Sequence, residues 1–226
     1  MISAQANQAN WILVLGGEKG GPGKSTIAQN LSVSIKLAGG DVLLIDADPQ
    51  ATSYEWANVR DRIGQSVSIP HEKAHGDISS TLKDKARRYA VIIVDCGGSD
   101  SEALRSAMTV ATHLLIPLRP KRRDLATLAK LELLTRLARA SNPKLKINTI
   151  ITQCPSLPSQ ATRIFDAKDA CRSYGIDPLN SITMSRNAYD DAEEDGSSVI
   201  ESNTDPKAKE EIFAITSELF GDHKWA

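Results

Sequence analysis

Residues 11–26 read WILVLGGEKGGPGKST, and this stretch decides the fold. Its first part, 11–17, is an apolar run with the length of one strand, and a helical pattern begins at Ser25. Glycines between them let successive backbone N–H groups point inward at phosphate oxygens, and the helix that follows adds the positive end of its dipole. Lys24 would reach the β- and γ-phosphates, and the Ser25 hydroxyl would coordinate Mg²⁺. The strand, loop and helix together predict a phosphate-binding loop.

Further apolar runs of strand length alternate with longer helical patterns along the chain. The other predicted strands are 41–46, 90–95, 113–118 and 146–152, and the predicted helices are 25–38, 53–63, 78–88, 101–111, 125–140 and 161–174. The strands are almost continuously apolar, as expected when a parallel sheet is covered on both faces. This alternation predicts right-handed crossovers and an α/β fold with a doubly wound, mainly parallel sheet flanked by helices. A last helix is predicted to begin after Asp205 as N-cap, with Pro206 at its first position, and to end at Gly221.

The composition is that of a globular chain. The 226 residues are 41% hydrophobic and 24% charged, which excludes disorder and collagen-like structure. A formal net charge of −1 excludes attraction of the whole chain to nucleic acid or anionic membrane, so such binding would need a local patch. The sequence has no signal peptide, no membrane-spanning run and only widely spaced cysteines, so we expect a cytoplasmic protein with reduced thiols. We expect a flexible tail over 1–10 and a single domain over 11–226.

Aspartates follow two of the predicted strands at the edge where parallel sheets bind ligands. Asp46 and Asp48 end the second strand, and Asp95 ends the third. A phosphoryl-transfer site needs carboxylates for the Mg²⁺ shell and a group that orients the attacking water. A lone aspartate after a strand is usually only a helix cap. Beside a phosphate loop, the three aspartates predict a nucleotide and Mg²⁺ site.

Several segments resemble one protein family. Residues 19–26, KGGPGKST, resemble the deviant Walker A box of the ParA/MinD ATPases, in which an extra lysine precedes two glycines. Residues 46–50, DADPQ, resemble that family's second box, and 92–95 resemble its Walker B strand. Residues 185–201 are similar to the C-terminal part of small plasmid-type ParA proteins. The resemblance covers about 11–220 and implies the P-loop NTPase fold in its deviant Walker A form.

The resemblance also implies a role for each matching residue. ATP would be held by the loop residues Lys19, Gly20, Gly21, Pro22, Gly23, Lys24, Ser25 and Thr26. Lys19 would reach across a dimer to the partner's ATP, so that hydrolysis depends on dimerisation as it does with an arginine finger. Asp48 would polarise the water, and with Lys19 and Lys24 it completes the catalytic set. Ser25, Asp46 and Asp95 would lie in the Mg²⁺ shell.

The function that the resemblance implies is a switch driven by ATP and Mg²⁺. ATP would form a homodimer, the dimer would bind DNA non-specifically on the nucleoid, and a centromere-binding, ParB-like adaptor would stimulate slow hydrolysis to ADP. The cycle would drive plasmid or chromosome partition without stable membrane association. Glu18 and the segment 96–98, CGG, depart from the family pattern, and either could alter the turnover rate.

Two groups of basic side chains are candidates for DNA contact. The first group lies in the C-terminal third of the chain and comprises Arg163, Lys168, Arg172 and Arg186. The second is the run 119–123, RPKRR, in which Lys121, Arg122 and Arg123 form the alternative patch. A solvated loop or a contact between subunits would explain that run equally well.

Other functions stay open at this point. A MinD-like membrane-surface ATPase needs a basic C-terminal helix, whereas the one predicted here carries more acids than bases. An iron–sulfur carrier needs paired cysteines, and only a site shared between subunits could use Cys96, Cys154 or Cys171. Cargo positioning and conjugal DNA transfer use similar ATPases. Residues 71–75, HEKAH, match a zinc-protease pattern, but Pro70 and Gly76 leave barely one helical turn for it, so we interpret it as a chance match.

Overall fold

The computed structural model describes residues 11–17, 21, 23–98 and 101–221. Its seven strands are β1 (Trp11–Leu15), β2 (Val42–Ala47), β3 (His71–Lys73), β4 (Val91–Cys96), β5 (His113–Leu118), β6 (Lys146–Cys154) and β7 (Asp177–Met184). They form one sheet in the order β3-β2-β4-β1-β5-β6-β7, and every described pair is parallel. The predicted doubly wound α/β sheet is therefore confirmed.

Helices cover both faces of the sheet. They are α1 (Lys24–Leu37), α2 (Thr52–Ile63), α3 (Ser79–Lys85), α4 (Glu102–Met108), α5 (Arg122–Leu125), α6 (Leu128–Ser141), α7 (Thr162–Ser173), α8 (Asn187–Glu194) and α9 (Pro206–Phe220). Side chains of α1, α2, α8 and α9 pack in one hydrophobic layer, and those of α3 to α7 pack in the other. Because both faces are covered, β2, β4 and β5 are buried at every position.

Two strands, β3 and β7, were not predicted from the sequence, and both lie at an edge of the sheet. The three residues of β3 pair with β2 alone among the described strands, and β7 pairs only with β6. Neither strand is continuously apolar, because an edge strand is not covered like a central one. The first residues of the HEKAH segment form β3, His71–Lys73, so the extended backbone does not provide the helical face that a zinc-protease pair requires.

The predicted helix over 125–140 is wrong in its boundaries, since the chain forms α5 and α6 with a break at Ala126 and Thr127. The Thr127 hydroxyl donates a 2.7 Å hydrogen bond to the Asp124 carbonyl at this break. The Asp124 carboxylate accepts hydrogen bonds from the backbone and guanidinium of Arg119, at 2.7–3.2 Å. Asp124 therefore fixes the loop that precedes α5.

The last helix, α9, begins and ends as predicted. Oδ1 of Asp205 accepts hydrogen bonds from the backbone N–H groups of Lys207 and Ala208, at 3.1 and 3.2 Å, and Gly221 follows the last turn. The apolar face of α9 is buried against the sheet through Ala208, Ile212 and Ile215. Within the described part of the chain, no helix is long and apolar enough to cross a membrane.

Candidate nucleotide-binding site

Two described glycines between β1 and α1 have backbone angles that suit a phosphate-binding loop. Gly21 and Gly23 have φ values of +72° and +85°, a region that side chains with a β-carbon rarely adopt. The Gly23 carbonyl accepts the first helical hydrogen bond of α1, from the Ile27 N–H at 2.9 Å. Lys24 is the first residue of α1 and is 8% exposed. The predicted ligands Lys19, Gly20 and Pro22 lie outside the described residues, as does Glu18.

Gln153 braces the loop from the end of β6. Its side-chain Nε2 donates a 2.8 Å hydrogen bond to the Gly21 carbonyl, and its backbone N–H donates to the Thr183 hydroxyl at 3.2 Å. The φ of Gln153 is +48°, a strained value for a residue other than glycine, and such strain collects at functional sites. Gln153 is not among the predicted site residues, because nothing local in the sequence shows that β6 ends beside the loop.

The predicted carboxylates meet at the ends of adjacent strands. Asp46 of β2 and Asp95 of β4 are directly paired in the register of the sheet, and each is 1% exposed. Asp46 accepts hydrogen bonds from the backbone N–H groups of Asp48 and Tyr54, both at 2.9 Å. The Ser53 hydroxyl donates a 2.7 Å hydrogen bond to Oδ2 of Asp95. The first turn of α2 therefore contacts both carboxylates.

Burial raises the pKa of both aspartates. The pKa of Asp95 rises to about 7 because desolvation outweighs the hydrogen bonds from the hydroxyls of Ser53 and Ser25, while nearby Asp46 raises it further. The pKa of Asp46 also rises through burial, against the stabilising backbone N–H groups of Tyr54 and Asp48. Two buried carboxylates in register form a site that favours a cation.

The donor set suits Mg²⁺. Oδ1 of Asp95 is buried and has no hydrogen-bond partner among the described residues, so a ligand oxygen is left unsatisfied at the site. The described residues include no group of three or more His, Cys, Asp or Glu side chains able to hold a metal ion. Mg²⁺ fits this arrangement because it usually keeps several waters and is bound through one or two carboxylates and substrate phosphates.

A cleft of about 830 Å³ opens over the loop. Most of the predicted site residues that are described line it, namely Gly21, Gly23, Lys24, Ser25, Thr26 and Asp48. Gln153, Asp190 and Glu193 add polar walls that the sequence analysis did not identify. A smaller hollow of about 170 Å³ shares Gly23, Thr26, Gln153 and Asp190 with the cleft, so the two spaces adjoin.

The unusual segment after β4 leaves space for Asp48. A β-carbon on Gly97 would lie 3.3 Å from Cγ of Asp48, which is tighter than an ordinary contact. Oδ1 of Asp48 accepts a 2.9 Å hydrogen bond from the Gln50 N–H and so stays at the mouth of the cleft. Cys96 points into the hydrophobic core, and burial raises the pKa of its thiol well above the usual range. The thiol is therefore inert packing.

Arg163, Lys168 and Arg172 of the first basic group lie together on α7, whereas Arg186 directly precedes α8. Arg186 forms ion pairs with Asp205 and Glu211, at 3.1 and 2.8 Å, and its side chain is only 20% exposed. On α7, the Lys168 ammonium donates to the Asn180 carbonyl at 2.7 Å, and Arg172 pairs with Asp169 at 2.7 Å. Arg163 is exposed on the first turn of the same helix.

The second basic group lies at the same edge of the sheet as the phosphate loop. Lys121, Arg122 and Arg123 are exposed where the chain leaves the carboxyl end of β5 and enters α5. Because all strands run parallel, this is the edge of the sheet that also carries the phosphate loop. The nearby Arg119 is bound to Asp124 and does not belong to this exposed group.

Comparisons with known proteins agree with this geometry. Residues 13–153 match the family model of the CobQ/CobB/MinD/ParA nucleotide-binding domain. The chain is 33% identical to Protein ParA from Rhizobium radiobacter over 113 residues, which is half of each chain. It is 27% identical to maintenance of carboxysome distribution protein A from Halothiobacillus neapolitanus over 216 residues, covering 95% of this chain and 98% of that protein.

A solved structure shares the fold. The ATP complex of McdA from Cyanothece superposes with a TM-score of 0.74 at 17% identity, over 93% of this chain and 96% of that one. The family match covers the phosphate loop, both carboxylate strands and β6 up to Gln153, whereas Asp190 and Glu193 of the cleft lie beyond it. The chain therefore belongs to the CobQ/CobB/MinD/ParA family of nucleotide-binding domains.

Proposed function

We propose that this chain is a ParA-type ATPase that binds ATP with Mg²⁺, forms a homodimer and hydrolyses ATP slowly to ADP and phosphate. The observation that carries the proposal is the meeting of Lys24, Asp46 and Asp95 at one edge of the sheet, where Asp95 has a buried oxygen without a hydrogen-bond partner among the described residues. A site with a buried lysine beside buried carboxylates suits a phosphate chain and its counter-cation.

The chain's own residues have separate tasks in this site. The loop 19–26 binds the phosphates, with Lys24 as the principal side-chain cation. Asp46, Asp95 and the Ser25 hydroxyl would hold Mg²⁺, which when bound neutralises charge on the phosphate oxygens. Asp48 stands at the mouth of the cleft and would orient the attacking water. Lys19 would contact the nucleotide of the partner subunit, which ties hydrolysis to dimerisation.

The smaller hollow is the proposed site of the base. It adjoins the phosphate loop at Gly23 and Thr26 and is lined by the end of β6 and by the segment after β7. Gln153 and Asp190 lie on the boundary between the two spaces and offer polar groups to the base and the ribose.

The cellular role that we propose is DNA partition, in which the ATP-bound dimer binds DNA without sequence preference and an adaptor of the ParB type stimulates hydrolysis. The similarity to a ParA protein supports this role. We propose Lys121, Arg122 and Arg123 as the DNA contacts, because they are exposed at the edge of the sheet that carries the phosphate loop, and a dimer formed across that edge would bring two such groups together. Doubling a weak site raises avidity without new contacts.

Positioning of a protein cargo on the nucleoid is the second candidate function. It is favoured by the alignment with the carboxysome distribution protein, which runs over 95% of this chain. A membrane-surface role has less support, because the apolar face of α9 is buried in the core. An iron–sulfur role also has less support, since Cys96, Cys154 and Cys171 are all buried.

Binding to random duplex DNA tests the proposal. Mobility shifts at two salt concentrations, with a non-hydrolysable ATP analogue or with ADP, should show binding only with the analogue. The affinity should fall steeply with salt, with log K declining by about 0.9 for each phosphate neutralised. Charge removal at Lys121, Arg122 and Arg123 should lower that slope. Removal of three exposed charges at the opposite edge of the sheet, Lys83, Arg87 and Arg88, is the matched control and should leave the slope unchanged. Equal binding in both nucleotide states would overturn the partition role, and absence of ATP hydrolysis would overturn the proposed activity.

A further inference from the structure

Helix α2 joins the two buried carboxylates through its first turn. The Ser53 hydroxyl holds Asp95, and the Tyr54 N–H holds Asp46. The residue before the helix, Ala51, has a φ of +56° and supplies no side-chain cap. The Asp46 carboxylate instead accepts the hydrogen bond of a free N–H in the first turn of the helix. Any shift of α2 therefore moves the hydrogen-bond donors of the Mg²⁺ ligands.

The other end of α2 is fixed by a buried arginine. Arg60 is 0% exposed, and its guanidinium donates to both oxygens of Glu201, at 2.6 and 2.8 Å. The same group donates to the carbonyls of Val67 and Gly196, at 2.7 and 3.1 Å. One turn earlier, the Trp56 indole N–H donates to the Ser197 carbonyl at 2.9 Å. We call the segment 196–201, between α8 and α9, the connecting loop.

The connecting loop is tied in turn to the phosphate-loop helix. Oδ1 of Asn30 accepts hydrogen bonds from the Ser198 hydroxyl and the Val199 N–H, at 2.7 and 3.0 Å. The Asn30 amide then donates to the Thr26 carbonyl at 2.7 Å. Asn30 is 2% exposed, and Thr26 lines the nucleotide cleft. Glu201 completes the loop by accepting a 3.1 Å hydrogen bond from the Ser198 N–H.

These contacts form one continuous chain of buried and partly buried hydrogen bonds from Thr26, in the first turn of α1, to Trp56 and Arg60 of α2. We propose that Arg60 and Glu201 are positioning residues of the hydrolytic site: they hold α2 in register with the phosphate loop, so that Asp46 and Asp95 keep their place beside the bound phosphates. This inference rests on the proposed ATPase function. It predicts a loss of hydrolysis without a loss of nucleotide binding.

The geometry favours a positioning role over mere stabilisation. A buried ion pair often contributes little to stability compared with apolar side chains of similar size, because desolvation offsets the attraction. The planar guanidinium of Arg60, by contrast, donates two hydrogen bonds to Glu201 and two more to backbone carbonyls. Together these four bonds allow one orientation of the two side chains. Such a contact sets direction and distance more tightly than apolar packing does.

The test uses three variants of the full chain: Glu201→Gln, Arg60→Lys, and the apolar pair Arg60→Met with Glu201→Leu. Each single variant should lower kcat about tenfold or more, since a misplacement of catalytic groups by about 1 Å can cost up to a hundredfold. The KM for ATP and the affinity for a fluorescent nucleotide without Mg²⁺ should stay within about twofold, because ground-state binding is untouched. Amide exchange at Tyr54 should quicken, while that of β1 stays slow.

The apolar pair separates positioning from stability. The single variants should unfold at a lower temperature than the wild-type chain, and the apolar pair should restore the wild-type midpoint. The apolar pair should still have the low kcat and the fast amide exchange at Tyr54. Asp169→Asn, which breaks the exposed ion pair with Arg172, is the control and should change neither quantity. Recovery of kcat together with stability in the apolar pair would overturn the inference, as would single variants with wild-type kcat. If the wild-type chain itself hydrolyses no ATP, the proposed function fails instead.

Discussion

The Ser53 hydroxyl donates a 2.7 Å hydrogen bond to Oδ2 of Asp95, while Oδ1 of the same carboxylate is buried without a partner among the described residues. One oxygen therefore has a partner within the described part of the chain, and the other does not. Leaving a buried carboxyl oxygen without a partner costs folding free energy, which a bound cation would return. Oδ1 of Asp95 is therefore the atom at which we expect a bound cation to supply the missing contact.

Removal of the loop lysine should abolish nucleotide binding. In Lys24→Ala the principal side-chain cation on the phosphates is lost, and the backbone cradle by itself is weak. Titration with a fluorescent ATP analogue measures the effect. Lys36→Ala, in the last turn of the same helix, is the matched control and should bind as the wild-type chain does. Equal affinity of Lys24→Ala and the wild-type chain would refute the site assignment.

Removal of the carboxylate at the mouth of the cleft should separate binding from hydrolysis. Asp48→Ala should keep the nucleotide affinity and lower kcat about a hundredfold, because only the orientation of the attacking water is lost. Steady-state release of phosphate gives kcat, with Asp84→Ala on the surface as the control. If the variant hydrolyses ATP at the wild-type rate, another group must orient the attacking water.

The extra lysine should be needed for dimerisation with ATP. The γ-phosphate is the group that Lys19 would bridge from the opposite subunit, so ADP should leave the chain monomeric. Sedimentation of wild type and Lys19→Ala with a non-hydrolysable analogue makes the comparison. This prediction rests on the sequence resemblance, since Lys19 lies outside the described residues. A fully dimeric variant would show that the lysine does not act between subunits.

The connecting loop should not tolerate a β-carbon at Gly196. Its φ is +66°, and an added β-carbon would lie 2.6 Å from the backbone nitrogen and 2.9 Å from Cα of Arg60. Backbone strain and overpacking together should lower the free energy of unfolding of Gly196→Ala by about 2–4 kcal/mol. Gly175→Ala has a similar φ of +70° with open space around it, so it should lose only about 1 kcal/mol. Urea titrations of both variants measure the difference.

Acid should weaken the fold through His113. Burial, helped by nearby Lys146, lowers the pKa of His113 from 6.5 to about 4 in the folded chain. The unfolded chain takes up this proton first, so the contribution to stability is complete above pH 6.5 and is lost as the pH falls towards 4. The slope is at most about 1.4 kcal/mol per pH unit. Urea titrations between pH 7 and 4.5 should show a shallower loss in His113→Phe than in the wild-type chain. Parallel curves would mean that the pKa of His113 is the same in the folded and the unfolded chain.

The central elements were predictable because burial on both faces leaves a strong local pattern. The runs that became β1, β2, β4 and β5 are apolar at nearly every position. β6 combines isoleucines with β-branched threonines, whereas β3 and β7 at the edges lack an apolar run. The carboxylates could be predicted because parallel strands end at one edge, which brings Asp46 and Asp95 together without knowledge of the connections.

The remaining parts of the site depend on contacts between distant segments. Arg60 has the sequence signature of an exposed helical charge, yet it is fully buried because Glu201 arrives from 141 residues away. Gln153 reaches Gly21 across 132 residues. Neither contact can be predicted from the local sequence, because the two partners become neighbours only in the folded chain. The helix α8 was missed for a related reason, since its apolar face is limited to Tyr189 and Ala192.

The phosphate loop follows the middle strand of the sheet, with three strands on either side of β1. Fraying at the edges can expose β3 or β7 without disturbing β1, whose amide hydrogens exchange only when the whole sheet opens. A nucleotide held there binds the folded chain alone and adds its binding free energy to that global opening. The supply of nucleotide would then govern how long the chain resists proteolysis that acts through global unfolding.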